Sequence, residues 1–124
     1  MRAAVFGTAV NCTPKPNERL RLDFTVTADH IAQGRPGSCT LCPVTLAIED
    51  HCRARGIALW SQEPIKVFGA DLRLLLADGR YFYSDRNEEV RQFVLAIDDG
   101  AWEYIFPRSL TVTFIESWRR PGER

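Results

Sequence analysis

The run "RLRLDFTV", residues 19–26, alternates without a break: Leu20, Leu22, Phe24 and Val26 on one side, Arg19, Arg21, Asp23 and Thr25 on the other. Successive side chains of an extended strand point to opposite faces, so this pattern predicts a strand with one face in a core and one in water. A helix would need its apolar residues every three or four positions. A similar run, "SLTVTFI" at 109–115, lies near the other end of the chain. Strands of this kind need a second layer to cover the apolar face.

Helical patterns supply that layer. After "GRPGSCTLC" the chain reads "PVTLAIEDHCRARG", with Leu41, Val44, Ile48 and Cys52 close to one helical stripe. Pro43 fits only a first helical turn, which starts the helix at or just before Cys42, with Ser38 or Cys42 as cap. Gly56 stands where a terminating glycine belongs. Upstream, Thr27 is placed to cap a single turn, "ADHIAQ", closed by Gly34. Farther on, "IALW", "IKVF" and "LRLLLADGRYFYS" read as strands, the last a hairpin around a two-residue Asp78-Gly79 turn. Asp85 with Glu88 resembles a capping box for a second helix that buries Val90, Phe93, Val94 and Ile97 and stops at Gly100.

Strand, helix, strands, helix, strand is the order of a split β-α-β unit. The sequence therefore predicts an α+β fold: a ferredoxin-like antiparallel sheet, two helices on one face, and one or more extra N-terminal strands from residues 2–10. A chain of 124 residues suits one domain. We divide it into an N-terminal extension (1–18), a single α+β domain (19–116) and a polar C-terminal tail (117–124).

Sixteen basic and sixteen acidic residues cancel, so no global field draws in nucleic acid or anionic lipid. The apolar run near the N-terminus is too short for a secretory signal, and no stretch reaches the length of a membrane span. The expected location is cytoplasmic, where cysteines serve as thiols or ligands more often than as disulfides.

Cys39 and Cys42 form a Cys-x-x-Cys pair, the half-site of a zinc centre. A helix from Cys42 to His51 separates those two by about 13 Å, too far for ligands of one ion, which removes His51 and Cys52. The candidate metal set is then Cys39, Cys42, His30 and Cys12. A thiol-redox pair at a helix N-terminus is a second reading, though the thioredoxin strand context is missing. The simplest reading makes the thiols small apolar side chains. The chain otherwise lacks a phosphate loop, a His-Glu-x-x-His run and a nucleophile elbow, so the expectation is a non-enzyme without a cofactor, zinc being the one candidate.

Arginine greatly outnumbers lysine, and arginine with tyrosine and tryptophan concentrates at protein interfaces. Arg19, Arg21, Arg80, Arg86, Tyr81, Tyr83, Trp118, Arg119 and Arg120 are the candidate contact residues, with Trp60 and Trp102 as further tryptophans. Tyr81 and Tyr83 share a strand face, so a nucleic-acid platform on an open sheet is an alternative. Zero net charge and the absence of the RNA-recognition aromatic order weigh against it.

The stretch 26–48 also carries Val26, Thr27, His30, Ile31, Gly34, Cys39, Cys42, Pro43, Val44, Leu46, Ala47 and Ile48. In these positions it resembles a family of small phage and prophage proteins with a V-T-x-x-H-I…C-x-x-C-P-V-A-L-A-I signature; Thr45 departs from its small residue. The resemblance covers residues 20–56 and implies a context rather than a chemistry. In that context the expected function is a non-catalytic factor that binds a host protein, for example an inhibitor of a defence complex of the CRISPR type. The expected partner is thus a host protein, with a homodimer as a further possibility and no membrane.

Overall fold

The computed structural model describes residues 18–117 other than 39, 69, 85 and 86. The predicted strand forms as β1, Arg19–Val26, with its apolar residues inward. There follow α1 (Ala28–Gln33), α2 (Pro43–Ala54), β2 (Ile65–Phe68), β3 (Asp71–Leu75), β4 (Tyr81–Ser84) and α3 (Glu88–Asp99). A short 3₁₀ turn (Trp102–Tyr104) leads into β5, Arg108–Ser117. Apart from Glu18 and Ser117, which ends β5, the extension and tail, with the expected strand at 2–10, lie outside the described residues.

The five strands form one sheet in the order β1-β5-β4-β3-β2, each neighbouring pair antiparallel. Leu22, Phe24, Leu72, Leu74, Phe82, Leu110, Val112 and Phe114 join Val44, Ile48 and Cys52 of α2 and Val90, Phe93 and Ile97 of α3 in one core. The helices therefore cover one face. α2 packs against both β1 and β2, the two edge strands, so the sheet curves around it.

The α+β class matches expectation; the ferredoxin-like order does not. In that arrangement each β-α-β unit joins parallel strands one position apart. Here α2 connects β1 to β2 on the opposite edge, and α3 connects β4 to its antiparallel neighbour β5. Short connections tie β2, β3 and β4 into a meander, leaving β5 to fill the place between that meander and β1. Residues 57–60 make a single bridge, Leu59 to Leu76, rather than a strand.

Local chemistry explains the other differences. The β3–β4 turn spans three residues, not two: Leu76 donates to the Arg80 carbonyl, Gly79 donates to that of Leu76, and Gly79 sits at φ 93°. A left-handed glycine after a tight turn is the standard three-residue hairpin. Leu41 precedes the helix and is exposed, because Cys42 is the N-cap and Pro43 begins α2. The cap of α3 is Asn87, whose Oδ1 accepts from the Val90 amide at 3.0 Å; Asp85 lies outside the described residues. The Asn87 Nδ2 also donates to the Thr111 carbonyl at 3.0 Å, satisfying β5 beyond the end of its pairing with β4.

Gly34 is required by contact rather than by φ. A Cβ there would lie 2.4 Å from Pro43 Cδ, inside van der Waals contact. Replacement by alanine must push α1 and α2 apart. Gly34→Ala is expected to lower unfolding free energy by about 2 kcal/mol, and Asn87→Ala by about 1 kcal/mol. Both are measured by chemical denaturation.

Candidate binding face

The register assigns every outward side chain of the sheet to a row. Opposite residues of an antiparallel pair share a face, so Lys66 stands across from Arg73, Arg73 from Tyr83, Tyr83 from Ile115 and Ile115 from Arg19. Arg21, Asp23 and Thr25 continue this face along β1, opposite Thr113, Thr111 and Ser109. Phe68 lies beside Arg73, whose guanidinium sits 5.0 Å from the ring centroid. This is the sheet face away from the helices.

At its β2–β3–β4 end the loop before β2 and the sheet together line an open concavity of about 800 Å³. Trp60, Gln62, Lys66, Arg73 and Tyr81 are among its lining residues. Trp60 is partly exposed, while Tyr81 is buried at the base. Burial raises the Tyr81 hydroxyl above its ordinary pKa, with nearby Arg73 opposing the shift. The phenol therefore stays neutral and offers a donor. Lys66 is paired loosely with Glu63 at 3.6 Å; Arg73 has no carboxylate partner among the described residues. The arrangement combines flat apolar area with a forked cation, which suits a carboxylate beside an apolar group.

Along β1 the same face is more nearly neutral. Asp23 accepts from Thr111 Oγ1 at 2.6 Å and from Arg21 Nε at 3.3 Å. The Thr111 hydrogen bond is the main reason its carboxyl lies below the usual range. Thr25 and Ser109 hydroxyls bond at 3.2 Å.

The candidate contact residues do not all gather here. Arg19, Arg21, Tyr81 and Tyr83 do. Arg80 is instead spent within the fold: it donates to Glu18 at 2.8 Å and to Asp78 at 3.2 Å, and stacks over Phe82. Arg86, Trp118, Arg119 and Arg120 lie outside the described residues. Lys66, Phe68 and Arg73 were missed at sequence level. Alternation within "IKVF" and "LRLLL" marks their faces, but only the register joins those faces to Tyr81 and Tyr83.

Of the proposed metal ligands, His30 and Cys42 are described, and among the described residues no group of three His, Cys, Asp or Glu side chains lies together. Cys12 and Cys39 fall outside them. His30 is a structural group. The Thr27 amide, which can only donate, bonds Nδ1 at 3.0 Å. The proton is therefore on Nε2, which donates to Asp50 at 2.6 Å. Both nitrogens are engaged, and His30 takes the place of the acidic residue in the α1 capping box. Cys42 is buried with Sγ 3.4 Å from Thr45 Oγ1. Cys52 is buried in the core as the stripe predicts.

A second apolar hollow, about 400 Å³, lies between α1, the start of α2 and the 3₁₀ turn. Ile31, Ile97, Trp102 and Ile105 line it, and Trp102 is 66% exposed. Tyr104 and Phe106 are exposed nearby. No helix among the described residues is long and apolar enough to cross a membrane. Set against protein-family models, curated proteins and solved structures, the chain matches none.

Burial pushes the Cys52 thiol from 9.0 up to about 11. The unfolded chain then ionises this thiol first as pH rises, and the folded chain holds it protonated. Its contribution is fully present below pH 9 and is lost between pH 9 and about 11. Wild-type denaturation measured across that window should lose about 2 kcal/mol more than Cys52→Ala does.

Proposed function

We propose that this chain is a non-catalytic protein-binding factor that holds its partner on the sheet face opposite the helices. The observation that carries this reading is the Arg73 guanidinium, without a carboxylate partner among the described residues, beside Phe68 and above the Trp60–Tyr81 hollow. Arginine and aromatic residues around a concavity are the usual anchors of a protein interface. The acceptor that suits this site is an acidic side chain flanked by an apolar one. The signature resemblance implies a host protein as partner, with components of defence systems among the candidates.

The nucleic-acid alternative draws on the same face but is less well served. Tyr81 is buried at the base of the hollow rather than displayed for stacking, and Asp23 and Asp71 stand among the cations.

Affinity capture from host lysate should compare wild type with Trp60→Ala/Arg73→Ala/Tyr83→Ala and with a helix-face control, Glu89→Ala/Gln92→Ala. We expect one specific protein retained by wild type and control and reduced at least about tenfold by the triple variant. Equal retention by all three, or salt-sensitive retention of nucleic acid alone, would contradict the reading.

A further inference from the structure

The outer edge of β1 carries a self-complementary sequence in the right hydrogen-bonding phase. The Glu116 amide donates to the Glu18 carbonyl at 2.8 Å. In an antiparallel ladder hydrogen-bonded pairs alternate with non-bonded ones. Even-numbered residues of β1 therefore bond to β5, and Arg19, Arg21, Asp23 and Thr25 direct their amides and carbonyls outward. The Arg55 guanidinium agrees with this phase, since it reaches the Arg21 carbonyl from outside at 3.3 Å. Among the described residues no strand pairs with this edge, which is eight residues long. An edge of that length, open among the described residues, is a template for another strand.

We infer that β1 pairs antiparallel with β1 of a second copy about a two-fold axis at Leu22, joining the two sheets into one. In this register each Arg21 faces Asp23 of the second copy, and each Arg19 faces its Thr25. Both pairs join outward-directed residues, so the ladder bonds form. Moving the axis to residue 21 opposes Arg21 to itself; moving it to residue 23 opposes Asp23 to itself. Like charges directly opposite are destabilising and opposite charges favourable, so charge selects the register at Leu22. On the helix side, Leu20 is half-buried in one copy and comes to stand opposite Phe24 of the second. The interface is isologous and closes as a dimer, using both β1 edges. Arg55 need not leave, because a carbonyl oxygen accepts two hydrogen bonds. The binding face is then continuous across the two copies, and this inference does not depend on what that face binds.

Sedimentation equilibrium of the full chain, at low salt and up to about 100 µM, tests this directly because dimer fraction follows protomer concentration. Wild type should reach the dimer mass. Asp23→Arg opposes two arginines twice and should weaken association at least about tenfold. The charge swap Arg21→Asp/Asp23→Arg restores opposite pairs and should restore the dimer. Because Asp23 also accepts from Thr111, hydrogen exchange on wild type provides a second reading that needs no variant. Amides of Arg21, Asp23 and Thr25 should gain protection as concentration rises, while solvent-facing amides elsewhere do not. A wild type that stays monomeric, an Asp23→Arg dimer as tight as wild type, or exchange at these amides that ignores concentration would overturn the inference.

Discussion

The pairing of β1 with β5 is the constraint on which the rest of this fold depends. It joins the first and last described strands in an unbroken register from Arg19–Ile115 to Val26–Arg108. On one side it sets Leu22 against Val112 and Phe24 against Leu110, forming the floor on which α2 packs. On the other it builds the Asp23–Thr111 and Thr25–Ser109 polar contacts. A slip of one residue would exchange these two faces. Because the partners lie so far apart in sequence, closing this pair fixes most of the chain between them.

Once β5 is held by β1, its last three residues, Ile115 to Ser117, accept β4 and the meander behind it. Asn87 then closes the interval where β4 ends, capping α3 and bonding β5 at once. α1 is held differently, through His30. Its ring bonds the backbone of its own cap and Asp50 of α2, while Gly34 allows the close approach of Pro43. The conspicuous histidine and the glycine ahead of the cysteine pair thus serve the joint between two helices. Chemistry at that joint would require His30 to give up one of these bonds.

Much of this was legible in the sequence because the information is local. Strict alternation located β1 and β5, and Thr27, Pro43, Gly56 and Gly100 marked helix ends through their backbone preferences. Strand order was not legible. The split β-α-β reading rested on element order alone, and nothing local says that β5 rather than β1 pairs with β4. The proposed binding face was half legible for the same reason. Tyr81 and Tyr83 were visible as a pair, and Arg19 and Arg21 as another, but Lys66 and Arg73 join them only through pairing registers. Arg80 was misleading, since its partner Glu18 lies outside any local window.

Two aromatic surfaces now compete for the role of contact site: the Trp60–Phe68–Tyr83 side of the sheet and the Trp102–Tyr104–Phe106 loop. The sheet side places the Arg73 guanidinium, stacked on Phe68, in the lining of its hollow beside Trp60 and Tyr81. On the loop, the Arg108 guanidinium is likewise seated 4.4 Å from the Phe106 centroid, but the hollow there is lined by Ile31, Ile97, Trp102 and Ile105 and by no cation among the described residues. Hydroxyl-radical footprinting of the chain with and without its captured partner separates them most directly. The account predicts that labelling of Trp60, Phe68 and Tyr83 falls in the complex while Trp102, Tyr104 and Phe106 stay as reactive as before; protection of the loop with the sheet face unchanged would contradict it.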